Sequence, residues 1–216
     1  KVWSFTVGKV DYNLYFGQLH SHTGEISDGQ GTLEEAYTYA RDHAHADYFA
    51  VTDHSNWFDN DTKASFFNED GSENSCEVSS KWTKMHETAD KFNEDNKFVA
   101  IAGFEMTWSG STGGWGHINT FDTKGFETRS HSSVDLSTYY NMISKMPQSI
   151  SQLNHPGTTF GDFDDFGFYS EAADKVVDLV EVGNGEGAVR SSGYFPSYDY
   201  YTRALDKGWH LAPTNN

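Results

Sequence analysis

One cysteine, Cys76, in 216 residues excludes an internal disulfide framework and any metal site built from several thiolates. Basic residues are scarce as well: 15 Lys and Arg face 32 Asp and Glu, a formal net charge of −17. Nucleic acid and anionic membrane surfaces both demand clustered Lys and Arg, so neither is expected as the main partner. No apolar run approaches the roughly 18 residues of a transmembrane helix. The opening Lys1-Val2-Trp3-Ser4-Phe5-Thr6 is not the apolar core of a signal peptide either, so no membrane insertion is expected. Internal repeats and low-complexity tracts are missing. Aromatic side chains, by contrast, make up 16% of the chain and apolar segments recur throughout, which excludes disorder. The length fits one domain with a sizeable core, and the domain carries 10 histidines.

Apolar runs alternate with helical patterns along the chain. Strands are expected at 14–19, 48–52, 98–104, 116–121, 150–153, 176–182 and 209–212, and helices at 32–44, 79–93, 134–146 and 198–207. The first helix has the clearest start. Thr32 and Glu35 form a capping box, and Leu33, Ala36, Tyr37 and Ala40 fall at i, i+3, i+4, i+7. The polar stretch 55–78 makes residues 55–97 a lid-like insert with a helix. Residues 2–7 alternate like a strand, so 1–10 is read as the end of a preceding β-domain or a linker, and 11–216 as the main domain. The chain stops directly after an apolar run, which predicts a piece of a longer polypeptide with further domains on both sides.

Strand after strand runs into a His, Asp or Glu. Alternating strands and helices imply a parallel sheet, and in a TIM-like α/β barrel the strand ends gather at one mouth. That fold would bring His20, His22, Asp53, His54, Glu105, His117 and His155 together. Imidazoles mixed with carboxylates, without thiolates, suit zinc, manganese or iron. So many ligands in one mouth point to two or three divalent ions. Each signal alone has a plainer reading. His20-Ser21-His22 is two rings on one side of a strand, Thr52-Asp53-His54 an Asx turn, Asn154-His155-Pro156-Gly157 a turn, and Glu105 a solvated charge. Separate strand ends making the same offer outweigh those readings. The other histidines are read as structural: His43 and His45 at a helix C-terminus, His86 and His131 on the surface, His210 hydrogen-bonded in the core.

These residues also match a known pattern. Leu19-His20-Ser21-His22-Thr23, Ser27-Asp28-Gly29 and Val51-Thr52-Asp53-His54 resemble the opening motifs of the polymerase and histidinol phosphatase (PHP) superfamily. Gly103-Phe104-Glu105, Gly116-His117-Ile118-Asn119 and Asn154-His155-Pro156-Gly157 are similar to its middle motifs. Their order and context are like those of the metallohydrolases related to carbaryl hydrolase, over residues 14–216. The resemblance implies a distorted (β/α)7 TIM-like barrel, two or three metals and phosphoester hydrolysis. By position it makes His20, His22 and Glu105 ligands of a first metal and Asp28 and His54 ligands of a second. Glu105 would bridge to a third metal, held by His117 and His155. Asp53, Asn119 and Asn154 would orient those ligands, with Asp53 also a catalytic candidate. Glu181 and Asn184 lie on the next strand end, where they would meet metal-bound water or substrate. Arg190, after the glycine-rich 183–187, is either a catalytic partner for phosphate or an ordinary surface arginine. One departure stands out. The family's closing Asp-x-His motif would follow Asn216 and is absent, so the barrel is expected to be C-terminally incomplete, with partial metal binding and poor turnover.

The function expected is therefore a metal-dependent hydrolase acting on small phosphomonoesters or phosphodiesters, long polyanions being disfavoured by the charge of −17. Two rivals stand beside it. One is amide, carbamate or ester hydrolysis on the same metals, since a fold does not fix the bond cleaved. The other is a non-catalytic module binding glycan or protein through Trp57, Trp108, Trp115 and the tyrosines of 194–201. Composition favours a secreted or cell-surface location, with a cytoplasmic one as the alternative.

Overall fold

The computed structural model describes residues 13–185 and 194–216. The strand expected over 2–7, the domain end at 1–10 and Arg190 all lie outside the described residues. A mixed α/β architecture is seen, with β1 (Gly17–Gln18), β2 (Tyr48–Val51), β3 (Val99–Trp108), β4 (Gly116–Phe121), β5 (Ile150–Asn154), β6 (Val177–Gly185), β7 (Tyr194–Pro196) and β8 (Ala212–Asn215). The helices are α1 (Leu33–Thr38), α2 (Ser80–Phe92), α3 (Leu136–Ile143), the single turn α4 (Phe163–Phe166) and α5 (Tyr198–Asp206). No helix among the described residues is long and apolar enough to cross a membrane.

The strands form one sheet in the order β1-β2-β3-β4-β5-β6-β7, with β8 also paired to β6. It curls into a nearly closed barrel. Gly17, Leu19 and Tyr48 at one edge face Pro213, Thr214 and Asn215 at the other across a cavity of about 140 Å³. The uniformly parallel barrel is met only in part, because β4 and β7 run antiparallel to their neighbours. Chain length explains β4. Only residues 109–115 join it to β3, and a parallel crossover needs a dozen or more. Three glycines in left-handed conformations, Gly113, Gly114 and Gly116, make that tight reversal.

Helices α1, α2, α3 and α5 form where the sequence signals them, while the turn α4 has no such signal. The side chain of Thr32 accepts from the Glu35 amide, and Glu35 reaches back to the Thr32 amide, completing the capping box of α1. Beyond Thr38 the chain continues as a π-helical turn, Tyr39–His43. Helix α2 starts on Ser79, whose side chain accepts from Trp82, and lays Trp82, Met85, Ala89 and Phe92 on the core. Segment 55–97 is not detached from the barrel. Phe58 and Phe66 join Trp82, Phe104 and Phe126 in one buried aromatic cluster, and Ala64 is buried as well. Asp59 accepts hydrogen bonds from Ser79, Ser80 and the Lys81 amide, fixing the insert to the start of α2.

Three strands and one histidine depart most from expectation. Strand β1 shrinks to two residues at the sheet edge and leaves Leu14, Tyr15 and Phe16 exposed. Strand β3 continues to Trp108, so Glu105 lies inside it rather than at its end. The last strand falls at Ala212–Asn215, not 209–212. Its apolar approach, Trp209 and Leu211, packs into the core, while the strand is held by parallel pairing to β6. His210 is on the surface, bonded to Asp174 rather than buried.

Candidate metal centre

The mouth is built from the sheet outward. His20 and His22 follow β1, Asp53 and His54 follow β2, and His155 follows β5, so parallel strands deliver all of them to the same end. Glu105 comes from the middle of β3 and pairs in register with Asn119 of β4. His117 is only the second residue of β4, and it reaches the mouth because β4 runs the other way. Within β4, His117 and Asn119 share a face, as the period of two requires.

Five imidazoles close a ring. Centroid separations are 5.2 Å for His20–His22, 4.4 Å for His22–His54, 5.9 Å for His54–His117, 5.0 Å for His117–His155 and 5.6 Å for His155–His20. The Glu105 carboxylate sits at their centre. Oε1 lies 3.3 Å from His20 Nε2, 3.3 Å from His117 Nδ1 and 3.6 Å from His155 Nε2. Oε2 lies 2.7 Å from His54 Nδ1 and 3.4 Å from His22 Nε2. Asp28 joins from the side, with Oδ1 2.8 Å from His22 Nδ1 and Oδ2 3.3 Å from His54 Nε2. Gly29 permits this, because a Cβ there would meet the His22 carbonyl oxygen at 2.1 Å.

One carboxylate among so many imidazoles is an unusual electrostatic arrangement. Burial would raise the pKa of Glu105, but the surrounding histidines, His20 foremost, hold it well below the usual carboxylate range. Burial works against the His20 imidazolium, yet Glu105 and Glu181 together push it up to about 10. His117 goes the other way, lowered by burial. Convergence without directed hydrogen bonding is the telling feature. His22 Nε2, His54 Nδ1, His155 Nδ1 and Glu105 Oε2 are buried atoms without a well-aligned partner among the described residues. Buried polar atoms are normally satisfied, and nitrogen and oxygen donors in this state fit a divalent cation. Four overlapping groups could hold one: His20–His22–Glu105, His22–Asp28–His54, Glu105–His117–His155 and His20–His155–Glu181. All seven residues expected as ligands are therefore brought together.

The other candidates divide. Asn154 donates from Nδ2 to Glu105 Oε1 and to Asn119 Oδ1, both at 2.8 Å, and Asn119 donates to the Leu19 carbonyl at 3.0 Å. Both orient the floor of the site. Two partners in this network have no counterpart in the motifs. Gln152 donates to Asn154 Oδ1 at 3.0 Å and accepts from Thr214 Oγ1 at 2.9 Å. Alternation back from Asn154 along β5 is the signal that singles out Gln152. Asp53, a catalytic candidate, does not line the mouth. Its carboxylate is fully buried and taken up by the Thr23 amide, the Thr23 hydroxyl and the Ser27 hydroxyl, so it holds loop 23–28 in place. Glu181 and Asn184 sit on β6, with Glu181 against His20 and Asn184 on the pocket wall.

Above the ring lies a cavity of about 550 Å³, walled by residues 156–160, Asn184, Pro196, Ser197, Tyr200 and Asn216. Phe160 is 44% exposed and leans on His155 and His117 at 4.7 and 5.0 Å. Of the aromatic residues considered for a binding module, Trp108 is buried and donates to the Val134 carbonyl, while Trp57 is exposed. A scan against protein-family models finds no match to the chain, and a search of curated proteins finds none.

Proposed function

We propose that the chain is a metal-dependent hydrolase of the PHP type, a distorted TIM-like barrel acting on small phosphomonoesters or phosphodiesters. The observation that carries the reading is the closed ring of five imidazoles around one buried carboxylate, in which His22 Nε2, His54 Nδ1, His155 Nδ1 and Glu105 Oε2 are buried without a directed hydrogen bond among the described residues. The fit is to two or three divalent ions, zinc, manganese or iron, held by His20, His22, Asp28, His54, Glu105, His117 and His155. Bound there, such ions would lower the pKa of a water and absorb charge developing on the phosphoryl oxygens.

The chain's own residues supply the rest. Glu105 serves the two groups that share it, and Asn154 and Asn119 keep its carboxylate fixed from below. Asp28 is steered onto His22 and His54 by the loop that Asp53 anchors. Phe160 and residues 156–159 cover the His117–His155 corner and narrow access for water. A cation site inside a chain of charge −17 admits a small anion and repels a long polyanion.

A second reading keeps the metals and changes the bond. No Lys or Arg is among the described residues that line the cavity, which also suits a neutral ester or carbamate. The test is metal content by ICP-MS on protein purified without chelator, followed by hydrolysis of bis(p-nitrophenyl) phosphate beside p-nitrophenyl acetate. Bound transition metal and preference for the phosphodiester are expected. Preference for the carboxylic ester moves the assignment to the second reading. Absence of any bound or rebindable transition metal overturns both.

A further inference from the structure

Glu181 is fully buried in β6, and histidine is its only ion-pair partner among the described residues. Both of its oxygens are occupied. Oε1 is 3.2 Å from His20 Nδ1. Oε2 accepts from the backbone N–H of His155 at 2.8 Å and from Asn184 Nδ2 at 3.1 Å. The His155 backbone has φ +26, a conformation that a β-carbon resists, so its amide needs a firm anchor. His20 faces Glu181 with one ring nitrogen and Glu105 with the other, 3.3 Å away. A proton held on Nδ1 leaves the Nε2 lone pair for the group it forms with His22 and Glu105.

From this geometry we infer that Glu181 is a positioning residue rather than a fourth-site ligand. It fixes the tautomer of His20 and the backbone of His155, and so prepares two ligand groups with one carboxylate. The inference rests on the metal reading above. With the His20 Nδ1 proton directed at Oε1 and two N–H donors on Oε2, His20 cannot lend Nδ1 to an ion shared with Glu181, which sets the His20–His155–Glu181 group aside as a ligand set. A carboxylate behind a ligating imidazole sets ring orientation and raises ligand basicity, and losing one typically weakens metal binding about 10–100-fold.

Two substitutions separate this role from plain stability. In Glu181→Gln the amide oxygen keeps the two donors, His155 N–H and Asn184, so the amide NH2 faces His20 Nδ1. That nitrogen must then accept, the proton moves to Nε2, and the contact with metal is lost on the His20 side only. Glu181→Ala also strips the acceptor from the His155 amide and disturbs both groups. The experiment is zinc titration in a metal buffer, with ICP-MS stoichiometry, thermal melting and 15N-histidine long-range NMR of the zinc-loaded chain. Wild-type His20 is expected with a protonated Nδ1 and zinc on Nε2. Glu181→Gln should weaken one zinc about 10–100-fold and leave the His117–His155 zinc unchanged, while Glu181→Ala weakens both.

Zinc on Nδ1 of wild-type His20, or wild-type zinc affinity in Glu181→Gln, overturns the inference. Equal loss of every zinc with equal loss of melting temperature in both variants also overturns it. The metal-free protein keeps the two readings apart. A His20 Nδ1 proton there whose hydrogen bond Glu181→Ala abolishes, read as loss of its downfield shift, supports the Glu181–His20 contact even if wild type takes up no zinc, a result that sinks the metal reading alone. Absence of that proton overturns the inference.

Discussion

Replacing Asp53 with asparagine separates two roles for a carboxylate that sits beside a candidate metal centre. Asp53 is fully buried and accepts three hydrogen bonds. On Oδ1 it takes the Thr23 amide at 2.8 Å and the Ser27 hydroxyl at 2.5 Å, and on Oδ2 the Thr23 hydroxyl at 2.9 Å. Burial nevertheless pushes its carboxyl above the ordinary value, so lost hydration outweighs those bonds. A neutral acceptor is therefore well tolerated. The asparagine oxygen keeps the two donors of Oδ1, and its NH2 meets a threonine hydroxyl that turns to accept. Asp53→Asn is expected to cost about 1 kcal/mol, a melting shift of about 2–4 °C for a domain of this size. Asp53→Ala is different. It leaves the Thr23 amide and the Ser27 hydroxyl buried without this acceptor, at about 1–3 kcal/mol each, which lowers the melting temperature by on the order of 10 °C. Loop 23–28 loosens with it and Asp28 leaves His22 and His54. Thermal melts, zinc content and phosphodiesterase rates on the three proteins read all of this at once. An asparagine variant that kept wild-type stability and metal yet lost about 1,000-fold in kcat would falsify the anchoring role, since that is the scale of a missing acid–base group.

Glu105→Gln removes the carboxylate shared by two of the ligand groups, leaving at most about one ion, at His22–Asp28–His54; ICP-MS showing undiminished metal content would refute the bridging role. Gly29→Ala places a Cβ 2.1 Å from the His22 carbonyl oxygen, so the backbone must shift at a cost of about 1–3 kcal/mol; thermal melting and metal content should fall together, and an unchanged melt refutes the close approach. In chelator-stripped protein, burial alone would lower the His20 pKa, but Glu105 and Glu181 hold it up to about 10. The native state then keeps a proton that the unfolded chain gives up near 6.5, so this stability is complete below about 6.5 and is lost as pH rises through about 10. Melting temperature of the metal-free protein should therefore fall between pH 7 and 10, at up to about 1.4 kcal/mol per pH unit for one proton; a rise over that window would contradict the geometry around His20.

Local signals carried furthest into the structure. The capping box of Thr32 and Glu35, and the Leu33, Ala36, Tyr37 and Ala40 face that runs from α1 into the π-helical turn, depend only on neighbours in sequence. The candidates His20, His22, His54 and His155 were legible because strand ends put a rare residue type at a predictable place, whereas Glu105 inside β3 and His117 near the start of β4 reach the same mouth by other routes. Long-range pairing was not legible in the same way. The direction of β4 depends on a seven-residue connection whose glycines read only as a break, and β8 has almost no apolar signal because β6 supplies its partner groups. Asp53 looked like a ligand neighbour because it stands beside His54. Which way a side chain points after a strand end is set by the loop it grips, here Thr23 and Ser27, some 26–30 residues earlier. The polar 55–78 stretch hid Phe58, Ala64 and Phe66, single apolar residues without a period that tertiary packing alone draws into the core.

The reversal of β4 has a chemical consequence. A crossover after β3 would set the next parallel strand beside it and present only that strand's end to the mouth. The hairpin instead lays β4 along the upper half of β3, residue opposite residue, so that Glu105 faces Asn119 and Thr107 faces His117. The shared carboxylate is thereby held one layer below the rim, 1% exposed, while the side chains of His22, His54 and His117 stand above it at 14–18%. Strand β5 then pairs with β4 so that Asn154 lies opposite His117 and donates to both Glu105 and Asn119. A buried charge faced by several imidazoles is held in place where backbone pairing on both sides fixes its depth and hydrogen bonds fix its plane. Within this barrel the β3–β4–β5 arrangement provides both, which accounts for the one strand reversal that falls at the centre of the candidate site.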